Sequence, residues 1–221
     1  MLKNNIAKLL IISIIFFIIC VCALSGCGDK MKIRFTYSRN GYIWFQNSVI
    51  QLRFDDKMYC KVFYRDTTHS INNASTVAPF SKPSHFIVLD GTEISKFTVD
   101  YDNIKCIDIK TEFGNGKRLV LKGTTTGPKN CEIEKTLTVE MYNDYPDAAI
   151  TYANYKNLGS ANLTIDTVYN NYYLLDASLA EKTKQPNDFW SFQGSAIDWG
   201  KDYIFPISDG FAQDNWMGLQ P

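Results

Sequence analysis

Leu24-Ser25-Gly26-Cys27 places a thiol behind two small residues and one large apolar one, at the end of an apolar run. That order resembles a lipobox, whose cysteine receives a diacylglyceryl group before the chain is cleaved in front of it. The run itself, residues 9–23, is apolar except for Ser13, and Lys3 and Lys8 precede it. It falls short of the about 20 residues a membrane-spanning helix needs, and it suits the h-region of a signal peptide. An uncleaved anchor helix is the weaker alternative. Each buried lipid CH₂ contributes about 0.8 kcal/mol and stable attachment takes more than one acyl chain, which a diacylated cysteine provides. The expectation is a signal peptide over 1–26, a lipidated tether over 27–32, and export to the bacterial membrane or cell surface, with lipid on Cys27 as the link.

Other reactive residue types give little. No GxSxG, HExxH or phosphate-cradling glycine loop occurs, and Gly123 to Lys129 has a turn's spacing rather than a P-loop's. His69 and His85 sit in or beside a polar stretch and read as surface residues. Asp55-Asp56 and Asp100/Asp102 read as solvated strand ends rather than paired catalytic carboxylates. Cys60, Cys106 and Cys131 lack CxxC or zinc spacing; three buried free thiols are favoured over one disulfide with a spare thiol. Catalytic residues, metal ligands and cofactors are therefore expected to be none. Removing 1–26 takes away two lysines and no acid, leaving two more acidic than basic residues and no basic cluster. That excludes a nucleic-acid partner as an expectation.

The C-terminal stretch, 186–221, is richer. Trp190, Trp199 and Trp216 stand among Asp198, Asp202, Gln213, Asp214 and Asn215. Indole faces beside planar polar groups suit sugar recognition, one surface for C–H groups and the other for hydroxyls. From composition alone, packing against a neighbouring domain accounts for these rings better.

The elements that must carry these residues read as strands. Segments 33–37, 42–46, 49–54, 58–64, 86–89, 94–99, 104–110, 117–122, 148–155, 163–169 and 172–175 are short and rich in β-branched and aromatic residues. Asp90-Gly91 and Asn115-Gly116 are hairpin signatures, and Asn40-Gly41 a turn signal. Segment 131–141 alternates most clearly: Cys131, Ile133, Leu137, Val139 and Met141 share one face, with Lys135 the exception. Glu132, Glu134, Thr136, Thr138 and Glu140 form the face expected to be wet. Segments 148–155 and 163–169 are expected to pair across Leu158-Gly159-Ser160. Only 177–182 suggests a helix, of one or two turns. The pattern predicts an all-β, antiparallel β-sandwich over 33–221, with a long aromatic-rich C-terminal loop.

Phe189-Trp190-Ser191-Phe192-Gln193-Gly194-Ser195, the Asp198-Trp199 pair and the run from Gly210 to Gly218 carry a resemblance. They look like the end of the N-terminal sandwich domain of α-galactosidase-like glycoside hydrolases, the melibiase or family 36 type. Residues 147–165 resemble the same domain more weakly. The resemblance implies a supersandwich-like fold leading into a (β/α)₈ barrel, whose strand ends would supply the two carboxylates of a retaining mechanism. It therefore implies a non-catalytic domain truncated before its barrel. That missing barrel and a galactoside-type carbohydrate are the expected partners, and Trp190, Trp199, Asp214, Asn215 and Trp216 are the expected rim or packing residues. The competing reading is a free-standing lipoprotein that binds glycan or protein without catalysis.

Overall fold

The computed structural model describes residues 32–39, 41–64, 69–72, 81–193, 203–208 and 210–211. The chain divides into Met1–Lys32 and Ile33–Pro221, and all the described strands belong to the second unit. That unit is an all-β, antiparallel, sandwich-like fold, as the alternation predicts.

The first sheet is a meander of β1 (Arg34–Tyr37), β2 (Ile43–Gln46), β3 (Ile50–Phe54) and β4 (Cys60–Tyr64), paired in chain order. β5 (Phe86–Leu89) and β6 (Thr92–Ile94) form the hairpin that Asp90-Gly91 announces. Both turn residues have positive φ, 45° and 74°, as a tight hairpin turn requires. The large sheet holds β7 (Thr98–Val99), β8 (Lys105–Thr111), β9 (Gly114–Thr126), β10 (Glu132–Tyr142) and β11 (Tyr145–Asn157), in the order β11-β10-β9 with β7 and β8 both on the free edge of β9. β12 (Ile165–Tyr169) completes the three-stranded sheet, and β13 (Trp190–Gln193) pairs with β14 (Tyr203–Pro206).

Period-two burial explains the packing. Odd-numbered residues of β10 (Ile133, Leu137, Val139, Met141) join Ile43, Phe45, Leu52 and Phe54 of the first sheet and Ile87, Leu89 and Ile94 of the three-stranded sheet in one core. Each such burial is worth about 1.5–3 kcal/mol. Among the described residues, every buried hydrophobic side chain lies between Ile33 and Ala177.

Four sequence expectations are corrected. The β8–β9 hairpin turns at Glu112-Phe113 (Thr111 pairs with Gly114), not at Asn115-Gly116. Thr111 Oγ1 accepts from Phe113 N at 3.1 Å, and Phe113 packs its ring 5.6 Å from that of Tyr142, which fixes the turn there. Gly116 instead marks a close approach: a Cβ there would lie 2.2 Å from the Met141 carbonyl oxygen. β11 and β12 do not pair with each other; β11 adds to β10 and β12 to β5. Of 172–175, only Leu175 makes a bridge, to Asn72. Finally, 186–221 is not all loop, because β13 and β14 form a ribbon. The helix expected over 177–182 is, among the described residues, the single turn α1 (Ala177–Ala180), capped by Asp176.

Candidate functional site

Of the expected rim residues, Trp190 is described; Trp199, Asp214, Asn215 and Trp216 lie outside the described residues, as does Cys27. Trp190 stands at the start of β13 opposite Pro206, and its residue surface is 67% exposed. Ile204, on the partner strand, is 60% exposed. A ribbon with an open indole and an open isoleucine is an apolar surface without a cover among the described residues.

Phe189, the residue before Trp190, lines a concavity of about 420 Å³ with Phe63, Tyr64, Ile71, Asp147 and Glu181. Its walls are mostly apolar, and two carboxylates stand on its lining. β4 contributes the rings of Phe63 and Tyr64, β3 contributes Ile50, the start of β11 contributes Asp147, and the segment after α1 brings Glu181 and Phe189. A second groove, about 250 Å³, opens on the outer face of the large sheet among Phe113, Tyr142, Tyr145, Ala148 and Ile150.

Beside that groove sits a polar cluster that alternation mistook for a wet face. Thr138 and Glu140 are buried. Arg118 of β9, directly opposite Glu140, donates Nε to its Oε1 at 2.6 Å, and the Tyr142 hydroxyl donates to Oε2 at 2.5 Å. These donors cover the carboxylate and compensate its burial. The 118–140 pairing was readable only from the centre of the β9–β10 hairpin, near Pro128-Lys129, which alternation alone does not fix.

The interior carries the other surprises. His85 is buried, not on the surface: Nδ1 lies 2.9 Å from Ser84 Oγ and Nε2 3.3 Å from Thr151 Oγ1. Burial, then the neighbouring Lys135, pushes its imidazole down to about 4. Lys135 itself keeps the core register of β10 and is 0% exposed; its Nζ donates to the His85 carbonyl oxygen at 2.7 Å. Burial pushes this amine down to about 7. Cys60, Cys106 and Cys131 are free thiols; Cys60 and Cys131 are buried and Cys106 partly so, and burial raises Cys60 to about 12. A thiol so protonated is a poor nucleophile.

The acid pairs serve turns. Asp55 Oδ1 accepts from the backbone N of Lys57 and of Tyr59, each at 2.9 Å. Burial is the largest influence on its carboxyl and raises it. Asp100 caps the 3₁₀ turn Tyr101–Asn103, and Asp102 pairs with Arg39. Among the described residues no three His, Cys, Asp or Glu side chains gather to hold a metal ion. No protein-family model, curated protein or solved structure matches the chain.

Proposed function

We propose that this chain is the N-terminal, non-catalytic sandwich domain of an exported, lipid-anchored glycoside hydrolase of the α-galactosidase-like type. The observation that carries the reading is the β13–β14 ribbon, which presents Trp190 and Ile204 to solvent at the end of an antiparallel sandwich. Contiguous exposed apolar surface of this kind marks an interaction site. Its role is to pack against a following barrel, with the indoles bordering that barrel's pocket.

A second reading, a glycan-binding lipoprotein, draws support from the concavity in which Asp147 and Glu181 share a lining with Phe63, Tyr64 and Phe189. Sedimentation of residues 27–221, with and without galactose, separates the two. Packing surface predicts self-association and hydrophobic-dye binding that Trp190→Ala reduces. A clean monomer whose tryptophan fluorescence shifts with galactose would contradict the first reading and favour the second.

A further inference from the structure

The outer face of the first sheet has an unusual charge pattern. Register places Thr36, Trp44, Arg53 and Lys61 in one cross-strand row, and Arg34, Gln46, Gln51 and Phe63 in the next. β1 to β4 contain three cations and no Asp or Glu; Asp147 and Glu181 stand only at the Phe63 end, on the concavity that Phe63 lines. Arg53 and Lys61 stand directly opposite each other. Like charges so placed are destabilising, and neither has a carboxylate partner among the described residues.

Arg53 is also held in place. Its guanidinium carbon lies 4.2 Å from the Tyr42 ring centroid, 5.3 Å from that of Trp44 and 5.2 Å from that of Phe63. Its Nε is buried without a hydrogen-bond partner. A guanidinium stacked on rings is a planar fork suited to a phosphate oxyanion, and here an ammonium stands at its side.

We propose that this face binds the anionic phospholipid headgroups of the membrane to which the chain is tethered. The choice of a headgroup over a free anion rests on the lipid attachment at Cys27 proposed above. The six residues from Gly28 to Ile33 reach at most about 20 Å when extended and include Lys30 and Lys32 with one acid, Asp29. The sheet that begins at Arg34 is thus kept close to the bilayer surface. Tyr42 and Trp44 are the ring types that settle at the membrane–water boundary, and basic residues there gain from the negative surface potential.

The test uses unlipidated residues 28–221, which hold all the described buried hydrophobic residues, sedimented with vesicles of phosphatidylcholine alone or containing phosphatidylglycerol. Three cations at the surface predict about 100-fold tighter binding to the mixed vesicles, weakened by salt. Arg53→Gln with Lys61→Gln should lower that preference by about 30-fold, with an unchanged circular dichroism spectrum. Should the double variant fail to fold, Lys61→Gln alone, which leaves the Arg53 stack in place, should still reduce the preference. Equal binding to both vesicle types, or no effect of the variants, would overturn the proposal. Release by millimolar inorganic phosphate at constant ionic strength would also overturn it, in favour of a free-oxyanion site. No acyl chain enters this readout, so its failure is distinct from failure of the Cys27 reading, which lipid labelling judges.

Discussion

Replacing Lys135 by Met should stabilise the sandwich at acidic and neutral pH and lose that advantage as pH rises. Lys135 is 0% exposed, donates 2.7 Å to the His85 carbonyl oxygen, and sits 5.4 Å from the Phe97 ring centroid. Burial holds its amine at about 7 against an ordinary 10.5. Between those values the unfolded chain carries a proton on Lys135 that the folded chain does not. Stability therefore rises with pH across the window and is lost as pH falls to about 7, below which the loss is complete. At about 1.4 kcal/mol per tenfold change in the proton equilibrium, the penalty approaches about 5 kcal/mol. Met is unbranched and of similar length and never protonates; it gives up one hydrogen bond worth about 1 kcal/mol. Replacing a buried ion by an apolar group of like volume is stabilising by about 1–4 kcal/mol in comparable cases. The other buried ionisable groups, such as Cys60 and Tyr173, titrate in both proteins and largely cancel in the difference. Urea unfolding of both proteins between about pH 6 and 10 should show a stability difference that shrinks by several kcal/mol. A difference constant with pH would refute this reasoning, because it would mean that Lys135 titrates alike in the folded and unfolded states.

Cys27→Ser should abolish incorporation of labelled palmitate and leave an uncleaved precursor, and equal labelling of both proteins would contradict the anchor. Gly116→Ala should lower stability by about 2 kcal/mol or more, since its Cβ would fall 2.2 Å from the Met141 carbonyl oxygen. A melting temperature equal to the wild type's would show that β9 and β10 separate there at little cost. Glu140→Ala should cost about 2 kcal/mol by stranding the Tyr142 and Arg118 donors, measured by urea unfolding, and Glu140→Gln less. Equal losses for the two variants would mean that these hydrogen bonds matter little.

Local chemistry was legible in the sequence, and long-range placement was not. Asp90-Gly91 specified a hairpin because both turn residues must adopt positive φ, a demand met within two residues. The core face of β10 followed from its period of two, and Lys135 stood out there as the one polar residue. What makes Lys135 tolerable, the His85 carbonyl, lies on the strand-entry segment 50 residues away, and no local pattern encodes that. His85 reads as a surface residue for the same reason: it follows a polar stretch, while Thr151 at its ring and Lys135 at its carbonyl come from 66 and 50 residues away. Glu140 looked solvated because alternation marks faces but not what covers them. Pairing of β12 with β5 was hidden too, because proximity in sequence favoured β11. In the candidate site, the open indole of Trp190 agrees with either role its composition allowed. Asp147 and Glu181 join Phe189 only through the fold.

Whether the chain supports a glycosidase barrel or acts alone is decided by hydrolysis of an aryl α-galactoside. The product of the complete reading frame is compared with the chain ended at Pro221. The supporting role predicts an open frame beyond the Pro221 codon encoding alternating strands and helices, turnover by its product, and none by the shorter chain. A stop codon directly after Pro221, or a longer product that leaves the glycoside intact, would contradict it.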